Sequence, residues 1–259
     1  MSDWFVMQPA DQPLEPARKV FVTGAPGRVG RRFTEGCHDR YELTLMAAPD
    51  EDASHVETYG PVVRADLTEK ERLVELMRGH DAVVHLAANP HHDAPWDELL
   101  APNIVGCHHG FAAAHEAGVR RVVYASSVNA VGAAAPDHQV QPNDPVTPGN
   151  LYGATKAFGE ALARYYAERE GMACYPIRIG AFRPPDAMQP RTDRPSRCDV
   201  SWRDLNQLIC ACLDTTRVRF AIVHAASRND REIMCLAQVR ELFGYEPEDD
   251  FRVMRAPQQ

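Results

Sequence analysis

A chain of 259 residues, 44% hydrophobic and 25% charged, is long enough to bury one sizeable α/β core and has an ordinary water-soluble composition. Its formal net charge of −8 and isoelectric point near 5.8 argue against a general nucleic-acid surface, which needs a basic face. No apolar run approaches the roughly twenty residues that span a bilayer, and the N-terminus has no basic region followed by an apolar stretch, so a cytoplasmic protein is expected.

Residues 1–17 carry Pro9, Pro13 and Pro16 among acidic and polar residues and read as a loose arm ahead of a single domain, 18–259. Residues 19–23, Lys-Val-Phe-Val-Thr, read as a buried strand that runs into Gly24-Ala25-Pro26-Gly27-Arg28-Val29-Gly30 and then a helical stretch, 31–38. Glycine at this spacing lets the chain turn tightly, brings bare backbone against a pyrophosphate and packs the helix close to the sheet, with the phosphates on the helix N-terminus. Further strands are expected at 42–46, 62–64, 82–86, 121–126, 173–178 and 219–223, and helices at 69–78, 96–117, 152–170, 202–213 and 230–242. The alternation predicts an α/β fold, a doubly wound parallel sheet of Rossmann type with helices on both faces. A small C-terminal substrate cap is expected near 181–200 and 225–259.

The seven cysteines are scattered, odd in number and without a C-x-x-C pair, so they read as reduced and mostly buried. His91, His92, His108, His109 and His115 lack zinc-type spacing, and no metal is expected.

Tyr152 and Lys156 lie four residues apart on one predicted helix, so they share a face. There the ammonium favours phenolate and is expected to lower the tyrosine pKa, while the Ser126-Ser127 hydroxyls can hold a substrate oxygen; together these groups suit alcohol oxidation or carbonyl reduction. The glycine loop, 85–89, Ser127 and the segment after Arg178 all follow predicted strand ends, where open parallel sheets bind ligands.

From about Lys19 to Tyr245 the chain resembles the extended short-chain dehydrogenases and reductases, the NAD-dependent epimerase/dehydratase family. Thr23 to Gly30 is similar to its nucleotide loop, Ala65-Asp66-Leu67 to its adenine-side aspartate, His85-Leu86-Ala87-Ala88 to the motif after its fourth strand, Asn103-Ile104-Val105-Gly106 to its structural asparagine, and Ala125-Ser126-Ser127 to its catalytic strand. The pattern places the catalytic serine five residues before a glycine, here Gly132, which selects Ser127. The resemblance implies Ser127, Tyr152 and Lys156 as catalytic residues, with Lys156 also holding the nicotinamide ribose. It implies cofactor contacts at Gly24, Pro26, Gly27, Arg28, Val29, Gly30, Asp66, Leu67, Leu86, Ala87, Ala88, Asn103 and Ile179, besides Tyr152 and Lys156. NAD is expected because Asp50, Glu51 and Asp52 follow the second strand and no arginine stands at its end for a 2′-phosphate, while Arg28 and Arg31 keep NADP open.

Within the family the chain is most similar to uronate dehydrogenases and related small-sugar dehydrogenases, which oxidise a ring C1 hydroxyl to a lactone. The similarity runs through 151–156, Phe158-Gly159-Glu160, Arg178-Ile179-Gly180 and 201–205. It implies substrate contacts at Asn89, Pro90, Ser127, Val128, Asn129 and Ala181. The uronate pattern has serine where Pro90 and Ala181 stand, and Asn-His in place of Val128-Asn129, so several sugar-hydroxyl contacts are absent and a substrate other than a hexuronate is expected. Arg191 and Arg194, in the proline-rich stretch 182–198, are candidates to clamp a carboxylate or phosphate on the sugar, against a merely solvated loop. The other readings are a sugar or nucleotide-sugar epimerase or dehydratase, and a non-catalytic dinucleotide-sensing protein. A homodimer is expected through 96–117 and the Tyr152 helix, with Phe111, Phe158, Leu162 and Tyr166 supplying apolar surface.

Overall fold

Val20, Phe21 and Val22 are all fully buried, because their strand is covered on both sides: alternate side chains enter opposite cores. Val20 and Val22 join Phe33, Leu205 and Leu208 on one face. Phe21 joins Leu73, Met77, Phe111 and Tyr124 on the other. The computed structural model describes residues 5–188 and 195–252.

Within them β2 (Lys19–Thr23), β3 (Glu42–Ala47), β4 (Val62–Arg64), β5 (Ala82–His85), β6 (Arg121–Ser127), β7 (Ala173–Ile179) and β10 (Val218–Ala221) run parallel, and β1 (Phe5–Met7) closes the edge antiparallel to β10. The order is β1-β10-β7-β6-β5-β2-β3-β4, and β11 (Val223–Ala225) also pairs with β7. α1 (Gly30–Cys37) and α6 (Trp202–Asp214) pack together on one face, and α2 (Lys70–Met77), α4 (Gly106–Glu116) and α5 (Leu151–Arg169) cover the other. This is the doubly wound sheet expected from the sequence. Chain order reverses between β2 and β5, which opens a crevice at their carboxyl ends. Beyond β7, a short parallel pair, β8 (Ala181–Arg183) with β9 (Asp199–Ser201), leads into α6.

Three elements differ from their sequence expectation. Residues 5–7, expected in a loose arm, form β1, and Leu14 and Ala17 are buried. β1 is held by its pairing with β10 and by the Gln8 N–H on Arg217 O at 2.8 Å, and the stretch around Leu14 and Ala17 is docked by the buried Arg121 guanidinium, which donates to the Glu15 carbonyl at 3.0 Å besides those of Thr215 and Leu213. The helix expected over 96–117 is interrupted: α3 (Trp96–Leu99) passes into a π-helical stretch, Leu100–Val105, before α4. Pro102 has no N–H to donate, and the backbone N–H of Gly106 bonds back five residues to Ala101. The helix expected over 230–242 begins only with α7 (Ala237–Phe243), because Val140 bridges to Met234 and holds that stretch extended.

Candidate active site

Asn150, in extended conformation, caps α5 by accepting the Gly153 N–H at 2.7 Å, which starts the helix one residue before Tyr152. Gly153 is needed for a second reason. A Cβ there would enter the van der Waals shell of the Asn129 carbonyl oxygen, so only glycine lets α5 press against the turn after β6. That contact brings Ser127, the last residue of β6, near enough to Tyr152 for its hydroxyl to favour the phenolate. Asn129 donates both its backbone N–H and its side-chain amide to Ser127 Oγ, each at 3.1 Å, and its own Oδ1 accepts from Asn150 at 3.2 Å.

Lys156 lies one turn beyond Tyr152. Its Nζ is 5.5 Å from the Tyr152 ring centroid and 5.2 Å from that of Tyr124, and the residue is buried. Burial pushes the ammonium down to about 8. Tyr152 departs from the expectation that Lys156 would lower its pKa: burial raises it above the ordinary phenol value, and the nearby Ser127 hydroxyl opposes that rise. The sequence shows the charge but not the desolvation, and desolvation is the larger effect here.

The crevice is built around Gly24, whose positive φ of 66° opens the turn after β2; a Cβ there would lie 2.8 Å from the Ala87 backbone. Gly24, Gly27, Asp66, Leu67, Leu86, Ala87, Ala88 and Asn89 line a cleft of about 700 Å³. Thr23 Oγ accepts the N–H groups of Leu86 and Ala87, both at 3.2 Å, and meets His85 Nδ1 at 2.8 Å, which fixes the second wall. Burial drives His85 down to about 3, so the ring is neutral. Asp66 accepts the N–H and hydroxyl of Thr68, each at 2.7 Å, which holds its carboxyl below the usual range and keeps it ionised. No side chain caps α1, and the N–H groups of Arg31, Arg32 and Phe33 bond to the carbonyls of Gly27 and Val29, so the bare backbone facing the cleft is that of Gly24 and Gly27. A backbone cradle, an apolar cleft and an ionised carboxylate fit a dinucleotide.

Residues 20–197 match the model of the NAD dependent epimerase/dehydratase family. The chain belongs to this family. It is 33% identical over 249 residues to the NAD-dependent glucose-6-phosphate dehydrogenase of Haloferax volcanii, with 89% of this chain and 93% of the relative covered. It is 31% identical over 259 residues to the L-arabinose 1-dehydrogenase (NAD(P)(+)) of the same organism, covering 90% and 97%. A crystal structure of a mutant uronate dehydrogenase from Agrobacterium tumefaciens complexed with NAD superposes with a TM-score of 0.78 at 26% identity, covering 93% of this chain and 91% of that one.

The remaining candidates are distributed less evenly than the family resemblance implied. Asn103 is buried in the π-helical stretch and accepts from Asn89 N at 2.7 Å, while it donates to Asn89 O and Thr155 Oγ, each at 3.1 Å. It therefore ties the cleft wall to α5 and does not reach into the cleft. Pro26 is buried with its carbonyl 3.1 Å from His55 Nε2; Arg28 is exposed, Val29 half-buried, and Gly30 opens α1. Ile179 ends β7 in register with Ser127. Of the residues expected to touch substrate, Asn89 accepts the His91 N–H at 3.0 Å and Asn129 holds Ser127, so both amides have protein partners. Pro90 is exposed, Val128 packs on the core, and Ala181 sits in β8. Arg191 and Arg194 lie outside the described residues.

The end of the second Rossmann strand differs from its sequence expectation. An arginine does stand at the end of β3: Arg64 reaches over from β4, but its Nη1 donates to the carbonyls of Ala48, Pro49 and Glu51 at 3.0, 3.0 and 2.8 Å. Sequence reasoning also missed a buried group beneath Ser127, in which Glu160 receives Arg178 through two bonds of 2.9 Å and Ser126 Oγ at 2.6 Å. The signal for it was that Glu160 and Arg178 both lie in segments that carry the family similarity, with no spacing to show that they pair. Among the described residues, no group of three or more His, Cys, Asp or Glu side chains could hold a metal.

Proposed function

We propose that the chain is an NAD-dependent dehydrogenase that oxidises a hydroxyl, at ring C1, of a small anionic sugar to the lactone. One observation carries the reading: Ser127, Tyr152 and buried Lys156 converge beside the dinucleotide cleft, through the link from Asn89 by Asn103 to Thr155. The family and relatives named for glucose 6-phosphate, arabinose and uronate support the substrate class. Bound nicotinamide supplies the hydride acceptor. Tyr152 takes the proton from the sugar hydroxyl, Ser127 orients that oxygen, and the Lys156 ammonium stabilises the phenolate. Arg64, already bonded to three carbonyls, favours NAD over NADP.

Arg191 and Arg194 are our candidates for the sugar's carboxylate or phosphate. The chain carries seven free cysteines and, among the described residues, no helix long and apolar enough to cross a membrane; the free thiols support a reducing, cytoplasmic setting. The test is a panel of aldoses, uronates and sugar phosphates offered with each cofactor, followed by NADH absorbance. A lasting rise with an anionic sugar supports the reading, and loss of that preference in Arg194→Ala assigns the clamp. Sugar interconversion without net NADH would make the protein an epimerase.

A further inference from the structure

Away from the crevice, α1 and α6 bring two thiols together. Cys37, the last residue of α1, and Cys210, in the third turn of α6, have their sulfurs 3.5 Å apart although 173 positions separate them in sequence. Both line a surface cleft of about 600 Å³ whose other walls include Arg40, Asn206 and Asp214, so the pair is within reach of a small solute while only 4% and 8% exposed. The surroundings are polar on one side. The Tyr41 hydroxyl lies between Cys210 and Asp214, donating to Asp214 Oδ1 at 3.1 Å, and Arg40 pairs with the other carboxylate oxygen. Cys174, Cys212 and Cys107 are equally buried, but apolar burial raises all three thiols well above the ordinary range.

We infer that Cys37 and Cys210 form an oxidisable dithiol, a modification site that takes hydroperoxides and closes to a disulfide joining α1 to α6. Cys210 is the sulfur that attacks. The Cys37 S–H and the Arg40 guanidinium favour its thiolate, while the proton that Cys37 contributes is correspondingly harder to remove. The thiolate attacks the nearer peroxide oxygen; an S–O bond forms, the O–O bond breaks, and the departing alkoxide or hydroxide takes up a proton. Cys37 then attacks the sulfenic sulfur, the S–S bond forms, and its proton leaves with the hydroxide as water. Two thiols lose two electrons and two protons, and hydrogen peroxide becomes two waters. The cross-link would fasten the helix that follows the glycine loop to the helix that follows β9. Those helices already meet through Asn206 Nδ2, which donates to Arg32 O at 2.8 Å.

The experiment uses the full chain and hydrogen peroxide. After a graded dose, free thiols are alkylated, the protein is digested with trypsin without reduction, and the linked peptides are fragmented. The expected product joins peptide 33–40 to peptide 204–217, is two hydrogens lighter than the two peptides together, and separates on adding dithiothreitol. Peptide 204–217 also contains Cys212, so fragmentation must place the bond on Cys210. In Cys37→Ser the reaction should stop at a Cys210 sulfenic acid trapped by dimedone, and in Cys210→Ser the Cys37 thiol should stay alkylatable at the same dose. Oxidation of other cysteines first, with this pair still alkylatable in the wild-type chain, would overturn the inference, as would a linkage through Cys212.

Discussion

Asn129 aims two N–H donors at Ser127 Oγ, so the oxygen's acceptor side is occupied and the serine proton is free to be donated to Tyr152. Donation stabilises phenolate. Asn129→Ala removes one donor and should lower kcat about tenfold, the scale of one hydrogen bond. It should also move the rise in the oxidation rate to higher pH, because Tyr152 then holds its proton longer; a slower variant with an unmoved pH profile would show that Asn129 only packs. Lys156 carries a second pH signature. Its ammonium is held at about 8 against an ordinary 10.5, so below pH 8 both folded and unfolded chains are protonated and burial of the charge costs stability. Between pH 8 and 10.5 the folded chain releases the proton while the unfolded chain keeps it, and the cost falls away. In the absence of dinucleotide, Lys156→Met should therefore be more stable than the wild type at pH 7 by an amount on the order of 3 kcal/mol. Denaturant titrations across that window should show the difference closing, and a constant difference would refute the assignment. The identities of Ser127, Tyr152 and Lys156 were legible because helical spacing and motif order depend on local sequence. The sign of the Tyr152 shift was not, because burial is decided by residues distant in sequence, such as Tyr124 on β6.

At the scale of elements, α5 and the turn after β6 act as one unit, with Asn150 capping the helix and Gly153 admitting the Asn129 carbonyl. Gly153→Ala adds a methyl against backbone that has no rotamer to retreat into. It should cost about 1–3 kcal/mol of stability and displace Tyr152 from Ser127, so thermal melting and kcat should fall together. A variant with wild-type melting and turnover would mean that the tight contact has no role. The periodic elements were read correctly where one pattern ran uninterrupted, as in α5. Where Pro102 widens the helix to a π turn, the pattern still read as helix, since the apolar stripe continues through α4. That turn carries Asn103, whose three bonds connect the two halves of the site. The stretch 230–236 failed for a different reason: its pairing partner is Val140, and no local signal reports a bridge to a loop ninety-four residues away.

For the whole molecule, the parallel strands with their order reversing between β2 and β5 put Gly24, His85, Ser127 and Ile179 at one end of the sheet, and alternation of strands and helices was enough to foresee it. The edge was not foreseeable, because β1 is three residues long and is held by antiparallel pairing with β10, more than two hundred residues away. Assembly needs a revised surface. Phe111 is fully buried and stacks on Tyr166 within the protomer at 5.6 Å, so these two cannot line a dimer as the sequence suggested. Trp96, Leu100, Leu151 and Tyr165 are instead exposed, on α3, the π-helical turn and α5. We propose that a homodimer forms there; light scattering at micromolar concentration should give twice the 28.8 kDa chain mass, and Tyr165→Glu with Leu100→Glu should halve it. A wild-type monomer would reject the dimer.

The central claim is that Tyr152 exchanges the substrate proton beside a dinucleotide that other residues hold. Tyr152→Phe removes only the hydroxyl from a residue that is anchored by its place in α5. With the sugar that scores in the panel, kcat should fall by about a hundredfold or more, the scale of general acid–base catalysis, while the dissociation constant for NAD and the melting temperature stay within error of the wild type. Turnover near the wild-type rate, with the same sugar and the same cofactor affinity, would contradict the account.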